Sequence, residues 1–241
     1  MSKMEVEVKS IDRPIIDANV TMPVIGYQAA TALYSRPYAW VKRGIDILLS
    51  ILLLFPAMLI VGCCYIAIKL ETKGPAFFVQ ERPGYRGKIF KIVKLRTMMV
   101  ETEQDGRELT DMDRITKAGK LIRACSFDEL PQIINILLGQ MSFIGPRPLL
   151  VRYLPMYSKA QMRRHDVLPG ISGWAQVNGR NELTWTQKFE RDVWYVDHMS
   201  FVLDIKILVM TIVNVLKHQG VNAGVNDTMA VFTGEQAANH E

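Results

Sequence analysis

The sequence predicts an α+β fold of mainly helical character, with a single re-entrant membrane helix broken at Pro56, interfacial amphipathic helices and a short β-hairpin. Three observations predict it. Residues 47–68 run for 22 positions without a charge. Two short β-rich runs flank the turn signal Pro83-Gly84. Helical apolar periodicity dominates most of the chain beyond that turn, most plainly over 199–217.

In chain order, residues 1–37 mix charges with Pro14, Pro23 and Pro37 and hold no sustained period, which reads as a variable N-terminal arm. No basic start leads directly into an apolar core there, so the arm does not read as a signal peptide. Residues 38–73 are the expected anchor. As a helix rising ~1.5 Å per residue, the uncharged run reaches roughly 33 Å, enough to cross a bilayer core. Two features oppose a plain crossing. Pro56 deletes a backbone hydrogen bond near the middle and disfavours helical geometry at Phe55. Both flanks are basic, with Arg36, Lys42 and Arg43 before and Lys69 and Lys73 after, and positive charge favours the cytoplasmic side at each end. A broken helix that enters and returns meets both features and a kinked span meets only the first. Proline also occurs in genuine spans, so both forms stay open at this level.

Residues 74–217 form the expected catalytic domain. The hairpin is predicted from Phe77-Phe78-Val79-Gln80 and Ile89-Phe90-Lys91-Ile92. Over 199–217, Phe201, Ile205, Leu208, Val209, Ile212 and Leu216 share one stripe, and Asp204, Lys206, Asn214 and Lys217 fall mostly elsewhere. Such a stripe is either an ordinary core face or, beside a membrane anchor, a face in the lipid interface. Residues 218–241, rich in Gly and Asn, read as a loosely ordered tail.

Composition narrows the partners. A net charge of +5 and a pI near 9.1 suit phosphate-rich ones: nucleic acid, anionic lipid or nucleotides. The long apolar run has no place in a nucleic-acid binder. Of three cysteines, Cys63 and Cys64 lie inside that run, and with Cys125 they offer neither a disulfide framework nor a zinc spacing.

The chemistry concentrates around Cys125-Ser126-Phe127-Asp128-Glu129-Leu130-Pro131-Gln132, followed directly by the helical run 133–138. Pro131 suits a first helical turn, so Asp128 and Glu129 lie at a helix N-terminus, where unpaired N–H groups favour anions. Ser126 and Glu129 also have capping-box spacing, which offers a purely structural reading. Gly145-Pro146-Arg147-Pro148 places a guanidinium on a stiff backbone, suited to bidentate phosphate pairing. In a strand, Lys94 and Arg96 share one face. Arg180 sits on the Gly-bearing turn after Pro169-Gly170, where it can reach a ligand. Phosphate loops of the Walker type, dinucleotide fingerprints, zinc-protease motifs and nucleophile elbows are absent. His165-Asp166 reads as structural, because adjacent residues seldom share a face.

Assembled in order, these segments resemble the bacterial sugar transferases known as monotopic phosphoglycosyl transferases. The resemblance runs from about Tyr38 to Lys217. It is carried by Lys42-Arg43-Gly44-Ile45-Asp46, Lys94-Leu95-Arg96-Thr97-Met98, the Asp128 and Arg147 motifs, and residues 169–181. It implies a re-entrant anchor with both ends cytoplasmic, hence a protein of the bacterial inner (cytoplasmic) membrane with its catalytic domain on the cytoplasmic face. It implies a UDP-sugar donor, undecaprenyl phosphate as acceptor, and Mg2+. It further implies Asp128 as nucleophile, Glu129 as a helper toward magnesium or the incoming phosphate, a metal held at Asp128 and Glu129, and Arg147 and Arg96 as phosphate contacts. Where the small members carry Ser-Pro at the break this chain has Phe55-Pro56, and where they often carry a basic residue before Pro169 it has Leu168. The competing class is a membrane-tethered basic protein that binds anionic lipid; it explains charge and anchor but not an acidic pair among arginines. Neither the sugar nor an oligomeric state is written in the sequence.

Overall fold

The computed structural model describes residues 33, 36–104, 107–179, 183–217 and 231–234. The first helix, α1 (Pro37–Glu71), starts with proline in its first turn, where the fixed φ is already helical and the missing N–H is no loss. It ends at Thr72, whose N–H bonds the Ile68 carbonyl at 2.9 Å. Helix α1 runs through Pro56, the position of the expected break, as one helical element. Proline there removes one hydrogen bond, a loss that a long apolar helix tolerates when its neighbouring turns are intact. Among the described residues α1 is the one helix long and apolar enough to cross a membrane, with a mean hydropathy of 2.7 in its most apolar stretch.

Its buried positions are Ala39, Lys42, Asp46, Ser50, Ala57, Val61, Cys64 and Ile68. Steps of three, four and seven put them on one face. Ile51, Leu52, Phe55, Met58, Leu59, Ile66 and Leu70 are exposed. Both halves of the buried face meet the same domain. In the N-terminal half Arg43 donates to the carbonyls of Ile136 (2.6 Å) and Leu137 (2.9 Å), and Lys42 pairs with Asp204. In the C-terminal half Val61, Cys64 and Ile68 pack with Ala76, Leu95 and Ile122.

The hairpin forms as expected and is longer than its strongest β runs. Strands β1 (Phe77–Pro83) and β2 (Ile89–Leu95) pair antiparallel from Phe77 with Leu95 to Pro83 with Ile89. The reversal uses a positive φ at Arg86 (53°) and Gly87 (73°). Two-residue strands β3 (Glu103–Gln104) and β4 (Arg107–Glu108) make a minor ribbon. Helix α2 (Lys117–Ala124) is capped twice: Thr116 accepts from the Gly119 N–H, and the carboxylate of Glu71, the last residue of α1, accepts from the N–H groups of Lys117 and Ala118 at 2.7 and 2.8 Å. A 3-10 turn over Phe127–Gln132 leads into α3 (Ile133–Leu137).

Strands β5 (Ser142–Ile144) and β6 (Gly170–Ser172) pair in parallel, with α4 (Lys159–Met162) between them in sequence. The backbones cross so closely that a Cβ on Gly145 or Gly170 would stand 2.3 and 2.1 Å from the other segment's backbone, so only glycine fits. The chain continues through α5 (Trp174–Val177), α6 (Trp185–His198) and α7 (Phe201–Leu216). A core of Ile144, Val167, Tyr195, Val196, Leu203 and Ile207 joins the parallel pair to the last two helices.

Helix α7 settles which face is inside. Leu203, Asp204 and Ile207 are buried, and Phe201, Ile205, Val209, Ile212 and Leu216 are exposed. Five of the six residues of the apolar stripe therefore face outward, and the sixth, Leu208, packs against the core. Of the tail, Phe232 is 2% exposed and packs among Tyr153, Trp185 and Phe189, and the rest of 218–230 and 235–241 lies outside the described residues.

Candidate active site

Asp128 and Glu129 sit in the first turn of the 3-10 segment, entered from a left-handed Ser126 (φ 56°, ψ 25°). The capping-box alternative is not what forms: Ser126 makes no capping hydrogen bond. Glu129 turns its carboxylate to two cations, and its Oε1 accepts from Lys94 Nζ and from Arg147 Nη2, each at 2.8 Å. Lys94 arrives on β2 and Arg147 from the turn after β5, so three separate segments meet at one oxygen. Among the described residues no side chain donates to the carboxylate of Asp128.

The two carboxyls are pushed apart. Burial alone would raise Glu129, but Arg147 and Lys94 hold it down to about 2. Burial, and then the charge of Glu129 beside it, push Asp128 above the ordinary carboxylate range against the pull of Lys94, Arg147 and Arg123. The pair thus holds one firmly ionised member and one raised member, the pattern by which adjacent carboxylates take different roles.

A cavity of about 890 Å³ opens over the pair. Eight basic side chains line it (Arg82, Lys94, Arg96, Arg114, Arg123, Arg147, Arg164 and Lys188) against three carboxylates (Asp128, Glu129 and Asp192). Such an excess in a walled cavity favours a polyanionic ligand. Arg82 is held down to about 10 by burial and by Arg147 beside it. Arg164 and Asp192 form a buried pair at 2.7 Å.

Of the residues expected from sequence, Asp128, Glu129, Lys94 and Arg147 converge. Arg96 lines the same cavity; its Nη2 donates to Thr72 Oγ1 and the Lys73 carbonyl, both at 2.8 Å, and its buried Nε and Nη1 have no partner among the described residues. Arg180 lies outside the described residues. Sequence reasoning missed Arg82, Arg114, Arg123, Arg164, Lys188 and Asp192. Only Arg123 carried a usable signal, standing five residues before Asp128 at the end of a helix. His165 is structural as expected: its Nδ1 lies 3.1 Å from the Gly84 carbonyl oxygen, and burial takes it down to about 3. No cluster of three or more His, Cys, Asp or Glu side chains suited to a metal occurs among the described residues.

The model of the bacterial sugar transferase family matches residues 37–218. An uncharacterized sugar transferase, EpsL, of Bacillus subtilis is 49% identical over 193 residues, 80% of this chain and 96% of that protein. The UDP-glucose:undecaprenyl-phosphate glucose-1-phosphate transferase of Escherichia coli is 41% identical over 194 residues, 75% of this chain and 42% of its own length. A UDP-N-acetylgalactosamine-undecaprenyl-phosphate N-acetylgalactosaminephosphotransferase of Aeromonas hydrophila is 40% identical over 78% of this chain and 47% of its own length. The chain therefore spans nearly all of the first and less than half of the other two. With the family's match running from the start of α1 past the end of α7 and enclosing the Asp128 cavity, the chain belongs to the bacterial sugar transferase family and is a transferase.

Proposed function

We propose that this transferase moves a sugar 1-phosphate from a UDP-sugar to undecaprenyl phosphate, releasing UMP and initiating assembly of a glycan such as an exopolysaccharide, O-antigen or glycoprotein chain. One observation carries the reading: Asp128, a carboxylate without a donor among the described residues, faces a cavity with eight bases against three carboxylates. The substrates follow from the names of the relatives, and the charge excess suits a diphosphate donor and a phosphate acceptor.

In this mechanism an oxygen of Asp128 attacks the sugar-bearing phosphorus. The bond from that phosphorus to the bridging oxygen breaks, and UMP leaves with that oxygen. The phosphosugar is then joined to Asp128 as an acyl phosphate. An oxygen of undecaprenyl phosphate attacks the same phosphorus, and Asp128 departs as a carboxylate. Two displacements thus replace one. Lys94 and Arg147 keep Glu129 ionised and stand against the charge of the transferring group. Two adjacent carboxylates, one of them free of donors, suit Mg2+, which takes one or two carboxylates together with substrate phosphates. Asp128 and Glu129 would hold it, and when bound it supplies positive charge against the phosphoryl oxygens.

The same reading puts α1 in the bacterial inner membrane, re-entrant, with both ends and the catalytic domain on the cytoplasmic face. The support is that both halves of α1 touch one domain, whereas a crossing helix separates its ends by a bilayer. Lys42, Arg43, Lys69 and Lys73 flank the apolar run at both ends. The outward apolar face of α7 suits the lipid interface.

Purified protein in lipid, given a panel of UDP-sugars with undecaprenyl phosphate, should release UMP with one of them. Donor alone should leave a phosphosugar mass on Asp128 after an acid quench. Product that forms only with both substrates present, with no adduct and no exchange of labelled UMP into donor, would replace this mechanism by direct transfer. Cysteine probes placed at Ser35 and Thr72 should resist an impermeant reagent in spheroplasts, and labelling of the second alone would mean that α1 crosses.

A further inference from the structure

The turn that presents Arg147 has few handles. Pro146 and Pro148 bring no N–H, so Gly145-Pro146-Arg147-Pro148 is held chiefly through its carbonyls. Three successive carbonyls are taken. That of Pro146 accepts from the Gly170 N–H at 3.0 Å, that of Arg147 from Arg164 Nη2 at 2.7 Å, and that of Pro148 from Arg82 Nη1 at 3.4 Å. The middle contact is the shortest and comes from a side chain.

Arg164 is 3% exposed. Its Nε and Nη2 both donate to Asp192 Oδ2, at 3.1 and 2.7 Å, and its guanidinium lies over the rings of Tyr157 and Phe189 at 5.9 and 5.8 Å. Asp192, on α6 and 4% exposed, supplies the countercharge that allows a cation to be buried behind the turn. The Arg147 side chain itself is 45% exposed, and Glu129 is its one charged partner among the described residues. Besides Glu129 and the attraction of Asp128, no hydrogen bond among the described residues holds that side chain, so where its guanidinium stands depends on where its backbone is held.

We infer that Arg164, fixed by Asp192, is a positioning residue for Arg147: it pins the Arg147 carbonyl and so sets where that guanidinium meets Glu129 and the cavity. Both residues also line the cavity, but as a buried pair that neutralises its own charge, and their effect on turnover passes through Arg147. The inference rests on the catalytic role proposed for Arg147.

A double-mutant cycle tests it, with UMP release read on full-length protein in lipid. Arg164→Gln should lower kcat by about 30-fold with KM changed by less than about 3-fold, the scale of a small misplacement of a charged group. On an Arg147→Lys background the same change should cost less than about 3-fold, because residues that act through one another are not additive. Equal costs on the two backgrounds would overturn the inference and make Arg164 an independent contributor. Should Arg164→Gln fail to accumulate as folded protein, Arg164→Lys keeps the charge but not the fork and runs the same cycle to the same two outcomes. A structure of either variant reads the clamp without turnover: the Arg147 carbonyl should shift and its contact with Glu129 should be lost, whereas an unmoved turn would overturn the inference. Wild-type protein that releases no UMP from any donor would instead reject the proposed function, and the structural arm would still decide the clamp.

Discussion

Two of the carboxylate centres among the described residues differ in one respect: that of Asp204 is closed and that of Glu129 is open. At Asp204, Oδ2 accepts from Tyr38 at 2.6 Å and from Lys42, and Oδ1 accepts from Tyr195 at 2.7 Å. One anion meets one cation, both oxygens are satisfied, and Asp204 is absent from the cavity lining. At Glu129 one oxygen takes two cations, the neighbouring Asp128 takes no donor among the described residues, and the surrounding wall carries a further excess of bases. The first centre fastens α1 to α7. The second leaves charge unbalanced, a costly arrangement for a folded chain and a useful one when an anionic ligand completes it. The number of donors therefore does not separate structure from function; whether the account closes does.

The largest effect should come from breaking the open centre. Asp128→Asn is expected to lower UMP release by more than about 1,000-fold, because an amide cannot serve as the nucleophile. Unfolding stability should stay within about 1 kcal/mol of the parent, since the amide is nearly isosteric and no side-chain donor is lost. Near-parental turnover in purified protein would put Asp128 on the structural side of the comparison.

Breaking the closed centre should do the opposite. Asp204→Ala leaves Lys42 buried without its counterion and should cost about 3–5 kcal/mol. Turnover per folded molecule should stay within a few-fold. Thermal unfolding in detergent, paired with turnover normalised to folded protein, checks both halves of this prediction.

Glu129 should show a mixed signature. Its carboxyl is depressed from 4.5 to about 2 in the folded protein, so its stabilising effect is full above the ordinary glutamate value and fades as pH falls toward 2. Glu129→Gln should lose roughly 3 kcal/mol at neutral pH, with the gap from wild type narrowing below about pH 4.5. Unfolding measured across that range reads it, and a gap that stays constant with pH would show that Lys94 and Arg147 do not hold the carboxyl down. The smallest effect concerns the approach to the site. Ser126→Gly should raise stability by about 1 kcal/mol, because glycine adopts the left-handed conformation without the Cβ penalty. Chemical unfolding of the purified variant measures it.

Several of these parts are local and could be read from the chain. The hairpin announces itself by β-rich runs on either side of Pro83-Gly84, and α1 by its uncharged length. Asp128, Glu129, Lys94 and Arg147 were legible because helix starts, strand alternation and proline-stiffened turns are properties of a few adjacent residues. The backbone's passage through Pro56 was not, because a proline's local cost can be absorbed by the helix on either side. The outward side of α7 was not either, since periodicity marks an apolar stripe but not what covers it.

Tertiary structure alone decided the rest. Lys42 meets Asp204 across 162 positions of sequence, and Arg164 meets Asp192 across 28. Arg96 lines the cavity and also holds Thr72 and Lys73 at the end of α1, a second contact that its place in a strand does not announce. Arg82, Arg114, Arg123 and Lys188 became a cavity wall only when β1, α2 and α6 were brought around the same space. The sequence by itself thus determined the kinds of groups present and the short segments that carry them. Which cation each carboxylate meets, and which one is left open, depended on long-range packing, because charge pairing is a matter of distance in space and burial, and neither is carried by order along the chain.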